Sequence, residues 1–163
     1  MRKKIPIHTT IGCIGEGQLA RMMVLAGRRL GVKVKVLGER YPSSCSRLTD
    51  QIRKGYGDES GLRDLATGCR VVTYEFENVP AEALDFLSRC GVRVLPPAQA
   101  LRVSQDRIPE KNIFWDLDLN PVTFADVQSR ADLNNQLLPL PGKAESKYPI
   151  DLPAILKTRM GGY

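Results

Sequence analysis

A glycine-rich turn near the N-terminus is the first place where residue types and spacing suggest chemistry. Gly15, Gly17 and Ala20 fit the pattern GxGxxA between an apolar strand and a helical segment. Glycines permit a tight turn there, and the N–H groups at the helix start can bind an anion such as phosphate. Glu39 follows the second predicted strand, where dinucleotide enzymes carry a ribose-binding acid, so a nicotinamide or flavin enzyme is one candidate. Glu16 argues against it, because its carboxylate lies where a pyrophosphate would approach; the alternative is that the glycines serve packing only.

A second cluster of polar residues, Glu75, Glu77 and Asn78, follows the predicted strand Val71–Tyr74. Ligands bind at the carboxyl ends of the strands in open α/β sheets. Two acids and an amide suit a ligand that donates hydrogen bonds from hydroxyl or amino groups. The alternative is a polar turn in which Asn78 and Pro80 start a helix, and the residues alone do not decide between the two.

Two cations further along the chain are candidates for binding phosphate. Arg107 follows Asp106, and its guanidinium could bind phosphate through two hydrogen bonds, although a surface charge is the alternative. Lys157 lies inside an apolar run that predicts a strand at residues 154–158. A buried lysine needs a partner, so this position also indicates an anionic ligand.

The composition limits the classes of protein to consider. The chain has 163 residues, 42% hydrophobic and 26% charged, which is ordinary for a soluble globular protein. Its net charge of +6 would suit nucleic acid, but the charges are scattered and only 6% of the residues are aromatic. We therefore favour a solvated basic surface and expect no nucleic-acid partner.

The cysteines and the apolar segments bear on location. The four cysteines form no CxxC pair, which argues against a zinc site and against a dense disulfide framework. No apolar run approaches the roughly 20 residues that span a bilayer, and no secretory signal follows the basic start. We expect a cytoplasmic protein with no membrane partner.

Short apolar strands alternate with helical patterns in the first part of the chain, which is typical of an α/β fold with a mostly parallel sheet. Asp58 is the expected N-cap of one helix, and Pro80 lies in the first turn of another. The β-branched run Val71–Tyr74 predicts a central strand. The predicted strands are residues 11–15, 33–37, 51–54, 71–74 and 92–95, and the predicted helices are residues 18–30, 59–66 and 80–89.

The alternation of apolar strands with helical segments ends after these elements. Ala98–Gln105 and residues 109–117 predict two helices, and residues 122–127 predict a strand that leaves the first domain. Residues 134–151 are rich in Pro, Asn, Gly and Lys, which predicts an irregular segment. A natural domain rarely ends on an apolar strand with nothing beside it, so the strand at residues 154–158 leads us to expect a fragment of a longer protein.

Four motifs, taken in order, resemble one enzyme family. They are GxGQLxRM at the glycine turn, TYEFENVP at residues 73–80, QDR with a following EK at residues 105–111, and LKTRxGGY at residues 156–163. Together they resemble the N5-carboxyaminoimidazole ribonucleotide synthetases, ATP-grasp enzymes of bacterial and fungal purine synthesis. The resemblance covers residues 11–163, and its specificity comes from the second and fourth motifs.

The resemblance implies a fold and an activity. It implies a Rossmann-like pre-ATP-grasp domain at residues 1–106 and the incomplete beginning of an ATP-grasp domain at residues 107–163. The implied enzyme is a carbon–nitrogen ligase that uses ATP and Mg²⁺ to activate bicarbonate as carboxyphosphate. It transfers the carboxyl group to the exocyclic amine of 5-aminoimidazole ribonucleotide, releasing ADP and phosphate. The magnesium ligands would lie outside this sequence, and the full-length protein would form a homodimer.

The resemblance also implies site residues. Gln18, Leu19 and Glu75 would contact the aminoimidazole ribonucleotide, and no catalytic or metal-binding residue is assigned within this chain. The residues that would contact or cover the ATP phosphates are Arg107, Lys157, Gly162 and Tyr163.

This sequence also departs from the family pattern. Glu16 and Ala20 stand where the family usually has glycine, and residues 137–151 replace a short helix and turn. We expect Glu16 to crowd or repel an anionic ligand. Because the family protein is more than twice as long, we expect this chain alone not to turn over ATP. The alternative hypotheses are a Rossmann-type oxidoreductase domain that binds NAD(P) or FAD and a non-catalytic basic domain that binds nucleic acid.

Overall fold

The computed structural model describes residue 6 and residues 8–119, 121–137, 150 and 152–161. The chain divides into two compact units, Met1–Arg102 and Val103–Tyr163. The first unit holds a sheet with helices, and the second is built from helices and irregular segments. The assignment of two domains that meet after residue 106 stays a prediction.

A four-stranded parallel sheet forms the centre of the first unit. Its strands are β1 (Thr10–Ile14), β2 (Lys33–Leu37), β3 (Gln51–Ile52) and β4 (Val71–Tyr74). Their order is β3-β2-β1-β4, and every neighbouring pair is parallel. All four strands therefore end at one edge of the sheet, and the predicted α/β class with a mostly parallel sheet is confirmed.

One helix connects β1 to β2 and another connects β3 to β4, whereas residues 38–50, between β2 and β3, cross over without a helix. Asp58 is the predicted N-cap, and its side chain accepts a hydrogen bond from the Gly61 N–H at 2.7 Å. Pro80 directly precedes the third helix as its N-cap residue rather than lying in its first turn. The helices that begin in this unit are α1 (Gln18–Arg29), α2 (Glu59–Ala66), α3 (Ala81–Arg89) and α4 (Ala98–Gln105).

The sheet is packed on both faces because successive side chains of a strand point to opposite sides. Cys13 and Val36 are buried on the face that α1 covers, together with Ala20 of that helix. The next residues of the two strands, Ile14 and Leu37, are buried in the core formed with α2 and α3. Two cores therefore hold β1, and its carboxyl end carries the glycine turn.

The strand β4, predicted to be central, is the last strand of the four-stranded order, but it is paired on both sides, with β1 and with the segment that contains Val94. Beyond it, residues 92–95 form a single parallel bridge, Val72 to Val94, in place of the predicted strand. Pro96 and Pro97 follow at once, and neither has an N–H group that could extend the pairing.

Among the described residues, the second unit contains helices but no strand. Its helices are α5 (Arg107–Asp116) and α6 (Arg130–Leu137), and α6 occupies part of the segment predicted to be irregular. The strands predicted at residues 122–127 and 154–158 are absent. Ile155 and Leu156 are 82% and 73% exposed, so no neighbouring strand covers the apolar run that suggested one.

The helix α5 starts two residues earlier than predicted because Asp106 caps it. The Asp106 side chain accepts a hydrogen bond from the Ile108 N–H at 3.0 Å. No helix within the described part of the chain is both long enough and apolar enough to cross a membrane.

Candidate functional site

The glycine turn joins the end of β1 to the start of α1 at the edge where the strands end. Gly15 has φ = +119°, a backbone angle that residues with a side chain rarely adopt. Its N–H donates a hydrogen bond to the Leu37 carbonyl at 2.8 Å. Gly17 is the N-cap residue of α1. The turn thus places the N-terminus of α1 beside the carboxyl ends of β1 and β2.

The carboxylate of Glu75, the residue after β4, closes this turn. It accepts hydrogen bonds from the Gly17 N–H at 2.8 Å and from the Ala20 N–H at 2.5 Å, one on each oxygen. A Cβ on Gly15 would lie 2.4 Å from Cγ of Glu75, and a Cβ on Gly17 would lie 2.9 Å from its Oε1. Both glycines are therefore required for the carboxylate to approach the backbone this closely.

Glu75 takes the position that a phosphate takes in dinucleotide-binding folds. A carboxylate at a helix N-terminus is favourable because the helix dipole and the unpaired N–H groups attract negative charge. In those folds the pyrophosphate occupies that place. Since Glu75 already fills it, like-charge repulsion opposes a second anion, and the geometry argues against NAD(P) or FAD at this turn.

Two further N–H groups of the same terminus remain for a ligand. The backbone N–H groups of Gln18 and Leu19 have no acceptor within the described part of the chain. Both side chains are exposed, that of Leu19 to 56%. The structure therefore brings together Gln18, Leu19 and Glu75, the three residues predicted to contact the ribonucleotide. The set combines N–H donors with a carboxylate acceptor, which suits a hydroxyl group because it both accepts and donates.

The carboxylate of Glu16 is turned into the protein, and the residue is only 7% exposed. Its Oε2 accepts a hydrogen bond from the Tyr56 hydroxyl at 2.6 Å, and its Oε1 accepts one from the Arg40 N–H at 3.2 Å. It lies against Gly38, where an added Cβ would be 1.8 Å from Oε2. Glu16 therefore braces the glycine turn against the loop that follows β2.

Tyr56 is a site residue that the sequence patterns do not single out. Its ring packs edge-on against Phe76, with the ring centroids 5.6 Å apart. Because Phe76 directly follows Glu75, Tyr56 connects the Glu16 brace to the loop that closes the turn. Burial and the hydrogen bond to Glu16 raise the pKa of Tyr56, so its hydroxyl stays protonated and donates to Glu16 even in alkaline solution.

An open cleft of about 400 Å³ lies beside the brace, lined by Glu16, Glu39, Arg40 and Tyr56. Glu39, the predicted ribose-binding acid, folds toward Gly55, where an added Cβ would be 2.7 Å from its Oε1. Glu39 thus follows β2 as the sequence indicates. In the cleft, however, Glu39 lies with the carboxylate of Glu16 rather than with a turn that could bind phosphate, which does not suit a dinucleotide.

The remaining members of the cluster after β4 form the turn that leads to α3. Glu77 is half-buried and Asn78 is exposed. Glu75 is the member that reaches the glycine turn. The ligand-binding interpretation of this cluster therefore applies to Glu75. The interpretation as a polar turn that starts a helix applies to the residues after it.

In the second unit, Arg107 lies next to the segment that contains Lys157. The Arg107 N–H donates to the Arg159 carbonyl at 3.1 Å, and its Nε donates to the Thr158 carbonyl at 3.2 Å. Lys157 itself is exposed. The expectation of a buried lysine was wrong, because the apolar run around it forms no strand. Gly162, also predicted for this site, lies outside the described residues, as does Tyr163.

The N-terminus of α5 leaves no backbone donor for a ligand. The Arg159 carbonyl accepts a hydrogen bond from the Arg107 N–H, and the Asp106 side chain accepts one from the Ile108 N–H. The next residue is Pro109, which has no N–H. A phosphate bound near this terminus would therefore meet side chains rather than the helix backbone.

No metal centre appears among the described residues, and the two buried thiols near the site, Cys13 and Cys45, are not activated. No three His, Cys, Asp or Glu side chains lie together as ligands for a metal ion. Burial and the nearby Glu75 carboxylate raise the pKa of Cys13 to about 12. The same two causes raise the pKa of Cys45. Both thiols therefore stay protonated and serve the core.

Comparison with known proteins gives one family match. Residues 8–105 match the family model of the ribonucleotide synthetase pre-ATP-grasp domain. This range contains the whole parallel sheet, the glycine turn and Glu75.

Individual relatives extend the match along most of the chain. An N5-carboxyaminoimidazole ribonucleotide synthase of Pseudomonas aeruginosa is 45% identical over 153 residues, which cover 94% of this chain and 39% of that protein. The crystal structure of the synthetase from Thermus thermophilus gives a TM-score of 0.78 at 37% identity, covering 94% of this chain and 39% of that one.

A third structure is of the Aspergillus clavatus synthase in complex with ADP and 5-aminoimidazole ribonucleotide. It gives a TM-score of 0.66 at 28% identity and covers 80% of this chain and 36% of that one. The chain thus spans about two fifths of the length of the relatives that it matches.

Proposed function

Because the chain belongs to the ribonucleotide synthetase pre-ATP-grasp family, we propose that it is the N-terminal part of an N5-carboxyaminoimidazole ribonucleotide synthase. In this proposal the enzyme is a carbon–nitrogen ligase of purine biosynthesis. It carboxylates the exocyclic amine of 5-aminoimidazole ribonucleotide with bicarbonate and cleaves ATP to ADP and phosphate. The complex of the Aspergillus clavatus relative with ADP and 5-aminoimidazole ribonucleotide supports both substrates.

The observation that carries the proposal is the closure of the glycine turn by Glu75. This carboxylate accepts hydrogen bonds but repels a pyrophosphate, whereas ribose hydroxyls or an exocyclic amine can donate to it. A hydroxyl can also accept from the N–H groups of Gln18 and Leu19. Hydrogen bonds to a charged group contribute about 1.5–3 kcal/mol each. The sugar or the amine of the ribonucleotide therefore fits this turn better than its phosphate does.

For ATP, we assign phosphate contacts to Arg107 and Lys157, with Gly162 and Tyr163 beginning the loop that covers them. None of the ion pairs formed by the described residues involves Lys157, so its charge is available to a ligand. Mg²⁺ would accompany ATP and neutralise its phosphates. The described acids form no ligand set for it, and no residue of this chain is assigned to the metal.

A cytoplasmic location is part of the proposal. The four cysteines form no disulfide, which suits a reducing compartment. The homodimer implied by the family resemblance stays a prediction.

Calorimetric titration of the chain with 5-aminoimidazole ribonucleotide tests the substrate assignment. We expect saturable binding that weakens about tenfold or more in Glu75→Gln, because the amide replaces a charged acceptor. Glu82→Gln changes an exposed acid on α3 and serves as the matched control, which should bind as the wild type does. Equal affinity in the wild type and Glu75→Gln would contradict the role of Glu75.

Two further titrations separate the alternative hypotheses. Tight binding of NADH without binding of the ribonucleotide would favour an oxidoreductase domain and overturn the proposal. Binding of a DNA oligonucleotide that weakens steeply with salt, again without the ribonucleotide, would favour a nucleic-acid-binding domain.

A further inference from the structure

Arg159 lies at the centre of a network of ion pairs in the second unit. Its Nε and Nη2 donate to the two carboxylate oxygens of Asp106, at 3.1 and 2.5 Å. Its Nη1 donates to Oδ2 of Asp126 at 3.2 Å. One guanidinium thus holds two carboxylates, and the contact with Asp106 has a forked geometry that a lysine ammonium cannot reproduce.

The backbone of the same segment is bound to the start of α5. The carbonyls of Thr158 and Arg159 accept hydrogen bonds from Arg107, from its Nε at 3.2 Å and its N–H at 3.1 Å. Asp106, the side-chain partner of Arg159, is the N-cap residue of that helix. Arg159 therefore holds both residues at which α5 begins.

The two carboxylates do not contribute equally to the network. Both oxygens of Asp106 are bonded to Arg159. Oδ2 of Asp126 accepts from Arg159 and Gln128, but its Oδ1 is buried with no hydrogen-bond partner among the described residues. Because an unsatisfied buried oxygen is unfavourable, Asp106 is the principal partner and Asp126 the secondary one.

We propose that Arg159 is a positioning residue: it anchors residues 158–159 to the start of α5 and so fixes Lys157 next to Arg107. The inference rests on the proposed role of these two cations in binding ATP phosphates. Lys157 precedes the anchored residues, so its side chain extends toward solvent from a fixed base. Gly161, with φ = +63°, turns the chain just after the anchor. Without the Arg159 anchor, both cations would keep their charge but would no longer be held at a fixed separation. A preorganised pair of cations binds an anion more tightly than a mobile pair does.

Arg159→Lys tests the anchor because it keeps the charge and removes the fork. Amide hydrogen exchange of Arg107 in the whole chain reports the bond to the Arg159 carbonyl. Calorimetric titration with inorganic tripolyphosphate reports the pair of cations. We expect protection of the Arg107 amide to fall about tenfold and the tripolyphosphate Kd to rise about tenfold, as for the loss of one hydrogen bond of typical strength.

Two controls separate this effect from loss of the fold. The Leu117 amide donates to the Ile113 carbonyl within α5, so its protection should be unchanged if the helix stays folded. Arg102→Lys alters another arginine–aspartate pair, that with Asp85 in the first unit. It should leave both readouts at their wild-type values.

The outcomes are distinguishable. Unchanged protection of the Arg107 amide in Arg159→Lys would overturn the anchor. Unchanged affinity for tripolyphosphate, with the wild type binding it, would overturn the positioning role. If the wild-type chain does not bind tripolyphosphate, the proposed ATP role of Arg107 and Lys157 fails, and exchange of the Arg107 amide still decides whether Arg159 anchors the segment.

Discussion

The two helices that begin at candidate binding sites, α1 and α5, are capped by carboxylates in different ways. At α1 the carboxylate belongs to Glu75, which lies 58 residues beyond the glycine that it bonds. It leaves the N–H groups of Gln18 and Leu19 without an acceptor among the described residues. At α5 the carboxylate belongs to the adjacent Asp106, and the Arg159 carbonyl takes another N–H group. The first terminus can still offer backbone donors to a ligand, whereas the second must use side chains.

The difference shows how a helix terminus depends on the rest of the molecule. The cap of α5 is local, because Asp106 and the helix are neighbours in the chain. The cap of α1 depends on the sheet, because the pairing of β1 with β4 brings Glu75 to the turn. Disturbing the glycine turn should therefore cost more stability than disturbing α5.

Gly15→Ala should break the closure at α1 and give the largest effect. The added Cβ would lie 2.4 Å from Cγ of Glu75, at a φ of +119° that is strained for alanine. We expect the free energy of unfolding to fall by about 3 kcal/mol, from backbone strain and displaced hydrogen bonds, in urea denaturation followed by circular dichroism. Gly57→Ala is the control, since its Cβ would have no atom within 4 Å. Equal stability of the two variants would count against the close approach of Glu75.

Gly38→Ala should have a smaller effect, acting through Glu16. Its Cβ would displace the Glu16 carboxylate from Tyr56 and Arg40, so we expect a loss of about 2 kcal/mol. In a Glu16→Ala background the same substitution should cost almost nothing, because the carboxylate is gone. A double-mutant cycle measured by urea denaturation checks this. Additive costs would mean that Glu16 does not rest on Gly38.

The smallest effects should appear in the pH dependence of stability, with opposite signs in the two units. Burial and Glu16 raise the pKa of Tyr56, so the folded protein keeps a proton that the unfolded chain loses. This contribution is complete below the ordinary value of 10.0 and is lost as the pH rises further. The hydrogen bond from Arg159 lowers the pKa of Asp106. That contribution is complete above the ordinary value of 3.8 and is lost as the pH falls.

Thermal unfolding measured across the pH range checks these signs. Tyr56→Phe should flatten the alkaline decline in stability, and Asp106→Asn should flatten the acid decline. Declines of unchanged slope in both variants would assign the pH dependence to other groups.

The first unit could be predicted from sequence because its signals are local. The alternating run Lys33–Leu37 and the helix Glu59–Ala66 with its cap Asp58 have the predicted bounds. The predicted strands at residues 122–127 and 154–158 were wrong, since apolar composition does not reveal whether a partner strand exists. The position of β4 in the sheet depends on the pairing of all the strands, which no local pattern contains.

The candidate site also combines residues that the sequence indicates with contacts that only the fold reveals. Gln18, Leu19 and Glu75 were singled out from motifs, and the structure places them together. The brace of Glu16 by Tyr56 could not be predicted, because the two residues are 40 positions apart and an ordinary turn surrounds Tyr56. The sequence suggested a carboxylate that faces the ligand at Glu16, whereas the structure gives that position to Glu75.

Hydrogen exchange of four amides at the N-terminus of α1, those of the N-cap Gly17 and of residues 18–20, tests the central claim most directly. If Glu75 caps the helix, the amides of Gly17 and Ala20 are protected, while those of Gln18 and Leu19 exchange rapidly. In Glu75→Ala, protection of the first pair should fall about tenfold or more, and the second pair should not change. Rapid exchange of all four amides in the wild type, or unchanged protection of Gly17 and Ala20 in Glu75→Ala, would contradict the account.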